Sequence, residues 1–302
     1  MNTAKTLLMA CLLCAARAQA QEPALPGVAA FLPQGAKIAW AVQPLSAENA
    51  GKADARETLF AVDASTRCWL LLDGRVALEL ESQRAFALDV KADSFAAAGK
   101  GLLFSSGDSA GTAGEPSDPP QMLASGLPVL PFRPFAVLPL KKSRLFAGKD
   151  TLYLSGEKDG RNELWRISGK NGPAAYEPVF ASDAPIAAVA EQGKTIYAAA
   201  GNLIFKIAPG GKTTPVLDAG EPVTGLAAPS GKGLFYALRH GVMFFNDSVR
   251  AEALLAEKPQ IQAAGGSLYI FLPENLGVAR VDNPAAFNST GRKAPASKEK
   301  NK

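Results

Sequence analysis

The sequence is poor in the residues that most often carry metal and redox chemistry. Its 302 residues include one histidine, His240, and three cysteines, of which Cys11 and Cys14 lie in an N-terminal leader-like segment. Removal of that segment leaves Cys68 alone, in an apolar run that predicts a buried thiol. An intramolecular disulfide and a zinc site of the usual nitrogen and sulfur ligands are therefore excluded, whereas a site of oxygen ligands stays open.

The sequence also lacks a long apolar run and a dominant sign of charge. No stretch after the leader approaches the roughly 20 apolar residues of a transmembrane helix. The net charge is +4, and the basic excess lies mostly in the last twenty residues, so the body of the chain is close to neutral. A face that binds nucleic acid needs clustered lysine and arginine, and we expect none here.

The first twenty residues have the pattern of a secretory signal. Lys5 supplies the positive start, Thr6 to Ala16 is apolar, and Ala18-Gln19-Ala20 is a small-x-small cleavage site. This pattern predicts an exported protein, periplasmic or secreted. A bacterial lipoprotein box at Leu8 to Cys11 is the weaker interpretation of the same segment.

The last twenty residues, 283–302, have a tail-like composition of Asn, Ser, Pro, Lys and Ala. Such a segment cannot bury enough apolar surface to order itself, so we expect disorder. Its basic residues predict a weak contact with an anionic surface. The expected organisation is a signal over 1–20, one folded domain over 21–282, and the basic tail.

A repeated pattern carries most of the information in the body of the chain. A small apolar segment, then a turn with glycine, often Gly-Lys, then a short strand with an aromatic recurs about every 40 residues. The aligned aromatics are Phe60, Phe104, Tyr153, Tyr197, Tyr236 and Tyr269. Six structural units are therefore predicted.

The best-formed unit predicts four short strands: Ile186 to Ala190, Thr195 to Ala199, Leu203 to Ile207 and Thr214 to Leu217. Four strands per repeat of this length are typical of one β-propeller blade. The chain resembles six-bladed propellers of the NHL and TolB-like style, although no blade carries a family-specific signature. The resemblance implies an all-β propeller of six four-stranded blades.

The last unit has only three predicted strands, so closure of the ring needs a strand from elsewhere. The N-terminal segments Ala29 to Pro33 and Ala36 to Val42 each offer one. An N-terminal strand is therefore expected to complete the last blade, because an open blade edge favours aggregation. A stack of hairpins that never closes is the alternative.

Two features of the second unit resemble functional elements, but each has a structural interpretation. The segment Ser105 to Pro120 is rich in Gly, Ser and Pro and is predicted to be a mobile insertion loop. It contains Ser109 in a G-x-S-x-G pattern, but no helix is predicted after it, as a nucleophile elbow would require. We therefore predict no catalytic residue there.

A set of polar residues is expected at the rim of the central channel. Asp183 and Glu221 precede the first strands of their units, while Arg239 and His240 follow a second strand. These four residues form the candidate binding site, and we expect Asp63 to share their face. No cofactor is predicted.

Two function classes follow. The favoured one is an exported, non-catalytic binding or scaffold module for a protein or a cell-envelope component, because no nucleophile, base pair or metal cluster is evident. The alternative is a hydrolase or lyase that uses a calcium-type, oxygen-ligated metal at the mouth of the propeller channel.

Overall fold

The computed structural model describes residues 37–44, 58–99, 101–114, 118–124, 126–148, 151–168, 174–229, 233–246, 249–282 and 284. The predicted signal, the segment Ala29 to Pro33 and, apart from Pro284, the predicted tail lie outside these residues. None of the described residues forms a helix long and apolar enough to cross a membrane.

The described chain forms 25 strands. In chain order they are β1 (Lys37–Val42), β2 (Thr58–Val62), β3 (Cys68–Leu72), β4 (Val76–Glu79), β5 (Arg84–Leu88), β6 (Ser94–Ala98), β7 (Gly101–Ser106), β8 (Ser109–Ala113), β9 (Val129–Leu130), β10 (Phe132–Val137), β11 (Lys141–Ala147), β12 (Leu152–Lys158), β13 (Arg161–Ser168), β14 (Ala175–Ser182), β15 (Ile186–Gln192), β16 (Thr195–Ala200), β17 (Leu203–Ile207), β18 (Thr213–Asp218), β19 (Gly225–Ala227), β20 (Leu234–Leu238), β21 (Gly241–Asn246), β22 (Val249–Leu255), β23 (Gln260–Ala264), β24 (Ser267–Leu272) and β25 (Gly277–Asp282).

These strands form six sheets arranged as a six-bladed β-propeller, which confirms the predicted fold class. Five sheets have four strands each, and the first blade has a fifth strand because the two-residue β9 pairs in parallel with β5. Within a blade, consecutive strands pair as antiparallel hairpins. The innermost strands, which face the central channel, are β2, β6, β11, β15, β19 and β23.

The N-terminal strand closes the ring, as the sequence predicts. β1 is the outermost strand of the last blade and pairs with β25 from Lys37 opposite Asp282 to Val42 opposite Val278. Closure therefore uses the second of the two candidate segments, Ala36 to Val42. First and last blades also pack face to face, with the rings of Phe60 and Phe271 stacked at 5.4 Å.

The core lies between neighbouring blades rather than at the centre of the ring. Each apolar cluster joins side chains of two adjacent blades, as Leu103 of β7 and Leu154 of β12 do. Cys68 is fully buried in the cluster between the first and last blades. Large aliphatic and aromatic side chains thus fill the gaps between sheets.

The outermost strands of five blades contain an extra, unpaired residue. In β10, β14 and β18 this bulged residue directly follows a proline: Pro134 precedes Phe135, Pro178 precedes Val179 and Pro215 precedes Val216. β22 and β1 have their bulges at Ala253 and Ala41 without a proline. Bulges and prolines interrupt the row of free backbone groups that would otherwise pair with another chain.

Two predictions about the repeats are wrong. Much of the segment Ser105 to Pro120 is not an insertion loop, because β8 (Ser109–Ala113) lies within it as the third strand of the second blade, paired with β7 and β10. Phe60 lies on an innermost strand, whereas the other five aligned aromatics lie on second strands. The second strand of the first blade is β3.

Candidate functional site

One end of the ring is built from the turns between second and third strands and the connections between blades. In the first, fourth and fifth blades the turn holds the connection that follows: Ala92 N–H donates to the Gly74 carbonyl (2.7 Å), and Val223 N–H donates to the Gly201 carbonyl (3.0 Å). Lys258 N–H donates in the same way to the Arg239 carbonyl (2.7 Å). We call this end the connecting face.

The structure places all four predicted site residues on the connecting face, and no hydrogen bond or ion pair joins any two of their side chains. Asp183 projects into solvent, 98% exposed, with its carboxylate 3.9 Å from Nε of Arg161. The His240 ring bonds through Nδ1 to the Glu257 carboxylate at 2.7 Å, and the Arg239 side chain is exposed. Glu221 is half-buried. Asp183 precedes the first strand of the fourth blade, and Glu221, Arg239 and His240 belong to the fifth.

Asp63 does not share that face, so its expected position is wrong. It follows the innermost strand β2 and therefore lies in a turn at the opposite end of the ring. Its buried carboxylate accepts bonds from the Arg67 side chain (2.8 Å) and from Ser65 N–H (2.8 Å). These bonds make Asp63 part of a turn structure rather than a free ligand.

A buried carboxylate, Glu79, extends this cluster. Arg84 Nη2 lies 2.7 Å from Glu79 Oε2, the Ser82 hydroxyl donates to the same oxygen, and Arg67 approaches to 3.6 Å. Burial favours a higher pKa for Glu79, but the bonds from Ser82 and Arg84 and the two positive charges outweigh it and hold that pKa below its usual value. The neighbouring Glu81 has its pKa raised by burial.

The central channel encloses a cavity of about 840 Å³. All six innermost strands line it, and none of Asp183, Glu221, Arg239 or His240 does. Alanines dominate the lining, and a volume of this size suits a small molecule. The cavity is therefore a second concave site, separate from the four residues of the connecting face.

The acidic side chains that line the channel all have partners. The Asp93 carboxylate accepts from Gly107 N–H at 2.8 Å, and Asp63 is held by Arg67. Glu191 accepts a short bond from the Tyr153 hydroxyl. Burial, reinforced by this carboxylate, raises the pKa of Tyr153 well above its usual range. Tyr153 therefore acts as a donor to Glu191 and not as a base.

These carboxylates do not fit a shared cation site. They come from three different blades, and Asp63 follows its inner strand whereas Asp93 precedes its own. Among the described residues, no three His, Cys, Asp or Glu side chains come together in a way that could hold a metal ion. The oxygen-ligated metal of the alternative function has no ligand set in this part of the chain.

The seam between last and first blades contains two residues that the sequence analysis missed. Gln260 accepts from Phe60 N–H (2.9 Å) and donates to the Thr58 carbonyl (2.7 Å). Gln262 accepts from Val62 N–H (2.7 Å) and donates to the Val62 carbonyl (3.1 Å). A polar residue at alternate positions of a predicted inner strand, as in Gln-Ile-Gln, is the signal that could have revealed them.

Comparison with known proteins supports the propeller fold but identifies no protein family for this chain. No family model matches the sequence, and no curated protein matches it. A gluconolactonase from Xanthomonas campestris is similar in structure, with a TM-score of 0.54 at 11% identity over 87% of this chain and 95% of that one. An auxiliary nutrient binding protein from Bacteroides thetaiotaomicron gives 0.50 at 8% identity over 82% and 76%.

The extracellular domain of a hybrid two component system from B. thetaiotaomicron has a TM-score of 0.50 at 12% identity over 74% of this chain. The chain spans about a third of that protein, 32% of its length. An enzyme, a binding protein and the extracellular domain of a two component system thus share this architecture. The shared propeller fold does not select among their functions.

Proposed function

We propose that this protein is an exported, non-catalytic binding module that engages a protein or a cell-envelope component through its connecting face. The observation that carries the proposal is the set of exposed, non-identical charged side chains on that face, foremost Asp183 with its 98% exposed carboxylate. Backbone bonds hold the connection that carries Glu221. The Asn162 side-chain amide donates to the Asp183 carbonyl at 3.1 Å, so both side chains stand on a bonded frame. A frame of unlike groups can specify the orientation of a partner.

Export is proposed from the predicted signal over residues 1–20. The similar extracellular domain and the similar nutrient binding protein are consistent with it. The alternative, a metal-dependent hydrolase or lyase, draws on the similarity to a gluconolactonase, but the described residues supply no cation site. The basic tail is proposed to add a weak contact with an anionic surface.

The test is a charge reversal on the connecting face. The double variant Asp183→Lys and Glu221→Lys should weaken the affinity for a partner identified with the parent protein, without a change in melting temperature. The matched control is Glu177→Lys with Glu252→Lys, two exposed carboxylates on the outermost strands of blades. Equal affinity of the parent and the first double variant, measured by calorimetry, would contradict the proposal, as would an equal loss in the control.

A further inference from the structure

Two side chains of opposite charge are neighbours at the connecting-face end of the channel. Asp93 directly precedes β6 and Arg144 lies on β11, and both side chains are exposed and line the cavity. Their backbones lie side by side, because Leu145 N–H donates to the Ser94 hydroxyl oxygen at 3.0 Å. That oxygen also accepts from the buried Ser105 hydroxyl at 2.8 Å. The two charges therefore stand on a bonded frame between the second and third blades.

The carboxylate and the guanidinium of this pair are not bonded to each other. Asp93 Oδ2 accepts from Gly107 N–H at 2.8 Å, and Oδ1 accepts no bond from the residues that the structure describes. Arg144 forms no hydrogen bond or ion pair within the described ranges of the chain. Two opposite charges are thus held near each other with bonding capacity left on both, which suits a ligand group placed between them.

The channel wall around the pair is polar in its backbone. Each innermost strand pairs with a second strand on one edge only, so its other edge directs backbone N–H and C=O groups at the channel. At the closing seam, Gln260 and Gln262 bond part of that edge on β2. Elsewhere the edges can bond polar groups of a guest. The wall therefore favours a polar ligand over an apolar one.

The charges of the lining decide which polar ligand fits. Besides Asp93, the carboxylates of Asp63 and Glu191 line the channel, and Arg144 is the one base among the lining residues that the structure describes. A simple anion on Arg144 would be repelled by Asp93, and a simple cation on Asp93 would be repelled by Arg144. A guest that carries both charges satisfies both side chains.

We propose that the channel binds the zwitterion of an α-amino acid, with its carboxylate on the Arg144 guanidinium and its ammonium group on the Asp93 carboxylate. The planar fork of arginine binds a carboxylate through two parallel hydrogen bonds, and the ammonium donates to Oδ1 of Asp93. The cavity of about 840 Å³ has room for the amino acid side chain. This site goes beyond the proposed function, since the four predicted residues of the connecting face do not line the cavity.

The experiment is a calorimetric titration of the full chain with L-glutamine and with two analogues that each lack one charge. Glutaramate lacks the ammonium group, and 4-aminobutanamide lacks the carboxylate. We expect saturable binding of L-glutamine and at least tenfold weaker binding of each analogue, because each leaves one charge of the pair without its partner. L-Glutamate should also bind more weakly than L-glutamine, because its second carboxylate is added to those of the wall.

Two variants remove the charges one at a time. Arg144→Gln should weaken L-glutamine binding about tenfold or more and should not weaken binding of 4-aminobutanamide, which has no carboxylate. Asp93→Asn keeps an oxygen for Gly107 N–H; it should weaken L-glutamine to a similar extent and should not weaken glutaramate. The matched controls are Arg75→Gln and Asp159→Asn, exposed charges of the connecting face outside the cavity, and both should bind L-glutamine as the parent does.

The proposal is overturned if L-glutamine, L-alanine and L-lysine all fail to bind the parent saturably, or if L-glutamine binds equally to the parent and both variants. Tighter binding of glutaramate or of 4-aminobutanamide than of L-glutamine would overturn the assignment to a zwitterion. Thermal melts establish that each variant is folded. The double variant Asp183→Lys and Glu221→Lys should bind L-glutamine as the parent does, so a failure of this site is distinguishable from a failure of the connecting-face site.

Discussion

Removal of the N-terminal strand should unfold the propeller. β1 pairs with β25 at five positions, and antiparallel backbone hydrogen bonds contribute on the order of 1 kcal/mol each. Val42 is 5% exposed, and burial of a side chain of this type contributes about 1.5–3 kcal/mol. Trp40 packs on the cluster between the last two blades. Ordering the six residues of β1 costs about 1–2 kcal/mol each and offsets part of these terms, but the deletion also uncovers the edge of β25 and the side chains packed beneath β1. We therefore expect a loss that is a large part of the stability of an ordinary domain, about 5–15 kcal/mol.

Two deletions separate the strand from the chain that precedes it. Both are made in the protein without residues 1–20: the first lacks 21–36 and keeps β1, and the second lacks 21–44. Urea unfolding followed by circular dichroism measures stability, and light scattering after gel filtration measures association. We expect parent-like behaviour for the first, and for the second either no cooperative transition or aggregation through the uncovered edge of β25.

The reasoning fails if the second deletion stays monomeric with a urea midpoint close to that of the parent. It fails in another way if the first deletion is as unstable as the second, because residues 21–36 would then hold the ring together. Urea unfolding and light scattering of the two deletion variants detect both results.

Two further predictions concern individual side chains. Gln262→Leu removes both bonds to Val62 across the closing seam and should lower the free energy of unfolding by about 1–3 kcal/mol; an unchanged urea midpoint would show that the seam contributes nothing. Because the folded-state pKa of Glu79 is depressed, its stabilising effect is present above the pKa of an unfolded glutamate, about 4.3, and is lost as the pH falls below it. Glu79→Gln should therefore flatten the loss of stability in acid, and a parallel pH profile would refute this.

The fold was predictable because a propeller repeats its local chemistry. Glycine turns between short apolar strands recur in every unit, and the missing strand of the last blade pointed to the N-terminus. The third strand of the second blade, β8, was not predictable in this way, since its sequence Ser-Ala-Gly-Thr-Ala has little strand propensity of its own. Its pairing with β7 and β10 makes it a strand, and that is a tertiary effect.

The sites were less predictable than the fold. Turn residues such as Asp183 and His240 could be assigned to one end of the ring, because strand order alone decides which turns share a face. Gln260 and Gln262 were missed because their roles depend on which strand is innermost and on what the next blade presents. The same limit explains Asp63, which lies after a first strand that the repeat pattern had aligned with second strands.

The outer edges of the blades are poorly suited to bind a partner, which favours the ends of the ring as binding surfaces. Pro134, Pro178 and Pro215 stand beside bulges in three outermost strands, and β9 covers the edge of the first blade. β22, the outermost strand of the fifth blade, has no proline, but it carries the exposed side chains of Arg250 and Glu252. Each of these features opposes the addition of a further strand. A partner that approaches the sides therefore meets interrupted edges, whereas the connecting face presents rigid and unlike turns.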